Sequence, residues 1–176
     1  MQSTQSWMSE KAFGKDSDDL VTVSYQSHRD ALSSLEAALK GQKGTGILQG
    51  PEGSGKTTTV RRLLETLPKD AAVAFINGDR IKAGDMMSQI LTQYGYDTGL
   101  GAVDELEKMI RMFATQQALS GRPPILIVDN VDQMYPSALR ILNIFAELET
   151  ADRYSMRMIL TGRDGLSLSL IHISEP

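Results

Sequence analysis

Four short apolar runs punctuate the chain, each bounded by glycine, proline or polar residues, and longer segments of helical periodicity separate them. The runs are Thr45–Gln49, Ala72–Ile76, Ile125–Asp129 and Ser155–Thr161, the last carrying Met156, Met158, Ile159 and Leu160. Their near-continuous hydrophobicity predicts strands buried on both faces, as in a parallel sheet. Leu20–Tyr25 alternates enough to add a short strand or extended arm.

The intervening segments read as helices. His28–Lys40 sets Ala31, Leu32, Leu35, Ala38 and Leu39 on one face, with Ser27 as N-cap and Gly41 as stop. Thr58–Leu67 places Val60, Leu63, Leu64 and Leu67 at helical spacing ahead of Pro68. Ile81–Tyr94 carries a stripe of Met86, Met87, Ile90 and Leu91, which reads as core packing. Val103–Leu119 is the longest, with Val103, Leu106, Met109, Ile110, Phe113 and Leu119 assigned to its inner face. Pro136–Glu149 opens with proline in its first turn and carries Leu139, Leu142, Phe145 and Leu148. Strand and helix alternate, which predicts an α/β fold: a parallel sheet between two layers of helices.

Chemistry enters between the first run and its helix. Gly50-Pro51-Glu52-Gly53-Ser54-Gly55-Lys56-Thr57 fits G-x-x-x-x-G-K-[ST], with Thr58 next. Strand, glycine loop and helix follow in the order a phosphate-binding loop requires, so the fold is a P-loop NTPase. The glycines let backbone N–H groups turn inward around phosphates, and the helix start adds free donors and a positive dipole end. Lys56 would reach the β- and γ-phosphates of ATP, and Thr57 would offer its hydroxyl to Mg²⁺. The partner carboxylate for that ion is Asp129, at the end of the hydrophobic run Ile125–Val128.

Composition narrows the picture further. The 176 residues, 41% hydrophobic and 23% charged, suit one domain with a sizeable core. A net charge of −4 supplies no global basic field, which disfavours nucleic acid as a partner while leaving a local basic patch open. The absence of cysteine excludes disulfides and thiolate metal sites. No apolar run reaches the roughly 18 residues of a membrane span, and the polar start has no signal-peptide core. Residues 1–19 are polar and mixed, with Trp7, Met8 and Phe13 as their large apolar side chains, and are expected to be poorly ordered. The nucleotide-binding domain is assigned to residues 20–167. Residues 168–176, Leu168 to Pro176, resemble the translated end of a transposase-type sequencing adapter, so the genuine chain is expected to end near Ser167. A natural strand over Leu166–Ile173 is the alternative.

Taken together, these motifs resemble the AAA+ ATPases. That class normally has a glutamate after the strand-end aspartate, to orient the attacking water; this chain has Asn130, whose amide holds water but accepts no proton. Thr161 matches the polar strand-end residue that the class sets beside the γ-phosphate. Within AAA+, Ser24-Tyr25-Gln26-Ser27-His28-Arg29-Asp30-Ala31-Leu32, Arg61-Arg62-Leu63-Leu64, Ala74-Phe75-Ile76 and Met158-Ile159-Leu160-Thr161-Gly162 resemble bacterial ATPases of the general secretion pathway protein A type. The resemblance implies a three-layer core, here without its last strand and helical lid, and sets Tyr25 and His28 near the adenine. It also implies homo-oligomers, partners in secretion or pilus assembly at the inner membrane, and a cytoplasmic domain attached there through a later segment.

Three readings stay open at this stage: an ATPase, a nucleotide-dependent assembly switch with little hydrolysis because of Asn130, and a DNA-transposition helper ATPase. A small-molecule phosphotransferase has no acceptor motif to support it.

Overall fold

A computed structural model of the chain describes residues 20–24, 28–41, 44–99, 101–150 and 153–165. Tyr25, Ser27 and the segments 1–19 and 166–176 lie outside the described residues. The elements in order are β1 (Leu20–Ser24), α1 (His28–Lys40), β2 (Thr45–Gln49), α2 (Lys56–Thr66), β3 (Val73–Asn77), α3 (Ala83–Gln93) and α4 (Val103–Leu119). There follow β4 (Ile125–Asp129), a 3₁₀ turn (Val131–Gln133), α5 (Pro136–Ala146), the two-residue strands β5 (Glu149–Thr150) and β6 (Arg153–Tyr154), and β7 (Arg157–Gly162).

Five strands form one sheet in the order β1-β2-β7-β4-β3, every neighbouring pair parallel. Side-chain alternation then sends the apolar residues of β2, β3, β4 and β7 to two separate cores. Ile47, Ala74, Ile76, Leu126, Val128, Met158 and Leu160 face the layer made by α3, α4 and α5. Leu48, Ile125, Ile127 and Ile159 face Ala31 and Leu35 of α1 and Val60 and Leu63 of α2. The expected three layers are therefore present, and the runs are continuous because both faces are covered.

Helix boundaries depart from the periodicity in instructive places. α2 begins at Lys56, two residues earlier than expected, so the motif's lysine and threonine lie on the helix and not in the loop. α3 is shorter at both ends than Ile81–Tyr94. α5 stops at Ala146, because Glu149–Thr150 pairs antiparallel with Arg153–Tyr154. α4 keeps its expected bounds, but not its whole expected face. Leu106, Ile110 and Ala114 are buried, whereas Val103 is 45% and Leu119 68% exposed, because the helix ends run past the neighbours that cover its middle. The stripe Met86, Met87, Ile90 and Leu91 is fully buried in the core.

Polar contacts at both ends of the strands tie neighbouring segments together. The Arg157 guanidinium at the start of β7 donates to the Leu39 and Gly41 carbonyls at the end of α1, satisfying acceptors that a helix terminus leaves open. At the opposite end of the strands, Gly78 follows β3 and donates its N–H to the Asp129 carbonyl at 2.7 Å. The approach is close: a Cβ at Gly78 would lie 2.8 Å from the backbone oxygens of both Asp129 and Asn130. The loop after β3 is further joined to the segment after β4 by Arg80 N–H to the Gln133 carbonyl, 3.1 Å, and Tyr135 N–H to the Ile81 carbonyl, 3.2 Å.

This packing separates two glycine substitutions. Gly78→Ala drives a methyl into backbone that cannot rotate away, and is expected to cost about 1–3 kcal/mol. Gly84→Ala, whose Cβ would meet only Val103 at 3.6 Å in α3, is expected to be neutral or to stabilise by up to about 1 kcal/mol. Urea midpoints of the two variants measure the difference, and equal midpoints would contradict the close approach.

Candidate functional site

Parallel strands bring their carboxyl ends to one edge of the sheet, and crevices for ligands open there where the strand order reverses direction. From β2 the chain passes through α2 to β3 at the far edge, leaving β7 and β4 between them. The loop Gly50–Gly55 lies at that break. Its start is held by Gly50 N–H donating to the Gly162 carbonyl at the end of β7, 3.2 Å. Gly53 and Gly55 have φ of 76° and 87°, the left-handed region that glycine enters without a Cβ penalty. Gly55 is also the N-cap of α2 and has no side-chain capping bond, and no acidic residue occupies the helix's first turn. The first N–H groups and the positive dipole end thus stay available to an outside anion.

Lys56 is only 8% exposed. Its ammonium donates to the Gly50 and Pro51 carbonyls, each at 2.8 Å, and to the Ser54 hydroxyl at 3.5 Å. Among the described residues it has no carboxylate partner. The loop therefore holds a buried cation on neutral oxygens alone, an arrangement that favours an incoming anion. Pro51, Glu52, Gly53 and Thr58 are exposed around it.

Opposite stands Asp129, 3% exposed at the end of β4. Its Oδ2 accepts from the Thr57 hydroxyl at 2.5 Å. Its Oδ1 accepts from the Thr161 hydroxyl and from the Asn130 N–H, the latter at 3.2 Å. The register explains the meeting: Val128 pairs with Leu160, so the next residues, Asp129 and Thr161, finish their strands side by side. A hydroxyl and a carboxylate are hard oxygen donors of the kind Mg²⁺ takes, one or two at a time beside phosphate oxygens and water. Among the described residues no cluster of three or more His, Cys, Asp or Glu exists, so the donor set fits an ion shared with a phosphate ligand and no all-protein cage.

The remaining predicted residues fall around this centre. His28, first residue of α1, approaches Thr59 in the first turn of α2, Nδ1 to Oγ1 3.3 Å, which brings it beside the loop's helix. Tyr25 lies outside the described residues. Asn130 has φ 57° and ψ 45°, a left-handed conformation that asparagine tolerates better than most residues. Its Nδ2 donates to the Asn77 Oδ1 at 3.2 Å. Sequence reasoning passed over Asn77; the available signal was a polar residue closing an apolar strand, level with Asp129 across β3 and β4. Asp132, in the 3₁₀ turn, has both carboxylate oxygens engaged by Arg163. That direction no sequence pattern could supply.

Comparison with known proteins agrees with this fold. Over 149 residues, 82% of the chain, the sequence is 28% identical to general secretion pathway protein A of Aeromonas hydrophila, and it spans 27% of that protein's length. Among solved structures, Cdc6p of Pyrobaculum aerophilum aligns with a TM-score of 0.60 and 21% identity over 83% of this chain and 43% of that one. The ORC2 protein of Aeropyrum pernix in its ADP form gives 0.55 and 19% over 82% and 42%. At these identities the structural likenesses speak for the fold. The family model described as AAA domain matches residues 39–170, and the chain belongs to that family of P-loop NTPases.

Proposed function

We propose that the domain binds Mg²⁺–ATP at Gly50–Thr58 and hydrolyses it slowly, as the nucleotide-driven part of a bacterial secretion or pilus assembly complex. The observation that carries the reading is the pair of unlike buried groups: among the described residues, Lys56 has no counter-anion and Asp129 is held by hydroxyl and N–H donors. Bound at the loop, the triphosphate's β- and γ-oxygens would take the place of a carbonyl as partners of Lys56. Thr57 and Asp129 would hold Mg²⁺, which supplies neutralisation of developing phosphate charge. Thr161 holds Asp129 in place and would stand beside the γ-phosphate, while Tyr25 and His28 would flank the adenine. The link to secretion rests on the likeness to general secretion pathway protein A, extended from 27% of that protein to its process. Further copies of the chain and inner-membrane assembly proteins are the proposed partners.

Asn130 favours a second reading, in which ATP serves mainly as an assembly switch. An amide orients water through hydrogen bonds but takes no proton from it, so the usual contribution of a general base, roughly 10²–10⁴-fold, is missing at this position.

Removal of the ammonium tests the site itself. Lys56→Ala is expected to reduce ATP affinity below detection by calorimetry, and unchanged affinity would remove the basis of the proposal. Restoring the carboxylate tests the chemistry. Asn130→Glu should raise the hydrolysis rate at least about tenfold, at the expense of about 1 kcal/mol of stability, because glutamate is less at ease at φ 57°. Phosphate release and a urea titration follow the two effects; a variant no faster than the parent points away from position 130, to Asp132 or to a partner's residue as the base.

A further inference from the structure

Asp132 is the first carboxylate after Asn130, two positions beyond it in the turn that follows β4. Its Oδ2 accepts from the Arg163 Nε at 2.8 Å, and its Oδ1 from the Arg163 backbone N–H at 3.3 Å. Arg163 directly follows Gly162, the last residue of β7, and so stands two positions past Thr161. The bridge therefore spans the two strand ends whose Asp129 and Thr161 meet beneath the phosphate loop. Arg163 also lies within the loop's electrostatic reach. Its guanidinium is stabilised as a cation first by the hydrogen bond and charge of Asp132, and then by the charge of Glu52, inside the loop itself.

We propose that Asp132 is the general base for ATP hydrolysis in this chain, that Arg163 holds it in the nucleotide-free state, and that the γ-phosphate draws Arg163 away. The proposal rests on the reading of the site as an ATPase. Its physical basis is a competition for one guanidinium. The Asp132–Arg163 pair is exposed on its arginine side, where side-chain exposure is 60%, against 19% for the aspartate. An ion pair of that kind is weakly held. A terminal phosphate carries more charge and can take the planar guanidinium through two parallel bonds, where Asp132 takes its Nε–H and a backbone N–H, so it outcompetes this carboxylate. Once released, Asp132 can accept one proton from water as the water oxygen bonds to the γ-phosphorus. The bond from that phosphorus to the β–γ bridging oxygen breaks, and ADP departs with the electron pair. The proton on Asp132 then returns to solvent or to the phosphate product. Asn130, which cannot take that proton, positions the water.

The test uses the whole chain and four proteins: the parent, Asp132→Asn, Arg163→Gln and the double variant. Asp132→Asn is expected to lower turnover at saturating ATP roughly a hundredfold, the lower end for a positioned base, while ATP binds at least as tightly by calorimetry, because the amide competes less for Arg163. In Arg163→Gln the preference for ATP over ADP should fall roughly tenfold, as a charge-assisted bond to the γ-phosphate is lost. The double variant should turn over like Asp132→Asn. A parent with no measurable hydrolysis, an Asp132→Asn variant as fast as the parent, or an unchanged ATP-over-ADP preference in Arg163→Gln would each overturn the assignment. Failure of the parent to bind ATP at all would instead overturn the reading of the site beneath it.

Discussion

The buried carboxylate of Asp129 accepts hydrogen bonds from the Thr57 and Thr161 hydroxyls and from the Asn130 N–H, and through them it joins the start of α2, the end of β7 and the end of β4. A carboxylate removed from water costs several kcal/mol unless donors replace the lost hydration. Its hydroxyl donors come from positions 72 residues before it and 32 after it, and the assembled sheet brings them together. The order β2-β7-β4 is therefore both an architectural fact and a condition for satisfying one charge. Disturbing that register would leave the carboxylate short of partners, so the fold and the site stand or fall together.

Lys56 presents the complementary problem. It and Asp129 are unlike charges on neighbouring elements, yet each is bonded to neutral partners, the lysine to loop carbonyls and the aspartate to hydroxyls and an amide. Pairing them directly would relieve both and close the crevice. Held separately, they keep one place for an anion and one for a cation, and the uncapped start of α2 strengthens the first. A metal–triphosphate carries both signs in one ligand. On the proposed reading, ligand binding offsets an electrostatic cost that the empty loop leaves partly unrelieved, and nucleotide should stabilise the fold by mass action.

The parts legible in advance were those dictated by short-range rules. Ile125–Asp129 reads as a doubly covered strand because every residue is apolar until its last, and all five are buried. The stripe of α3 follows from helical spacing alone. The glycine loop was legible because its conformation demands glycines at fixed positions. What escaped depends on contacts between distant segments. Val103 and Leu119 fit the α4 period, but their neighbours leave them 45% and 68% exposed. The pair β5 and β6 is too short to show a period at all. Asn77 matters only because the register sets it level with Asp129, and Asp132 only because a turn after β7 brings Arg163 to it. Periodicity marks which face of an element is apolar; it is silent on which polar residues meet at its ends.

Asn130 shows why the site departs from its class at one position. The chain leaves β4 with φ 57° and ψ 45° and enters a 3₁₀ turn at once. For most L-residues that conformation costs on the order of 1–2 kcal/mol, and asparagine is among the few that adopt it routinely. The amide adds a bond to Asn77 that ties β3 to β4 at the same level, alongside the close contact of Gly78 with the Asn130 carbonyl. A glutamate here would be a better base and a poorer turn residue. The backbone preference favours the residue that cannot take a proton, and the turn it permits carries the chain to Asp132, a carboxylate that already has its partner across the strand ends. On the proposed reading, chemistry lost to geometry at position 130 is recovered two residues later, in a group whose availability depends on what else Arg163 can reach.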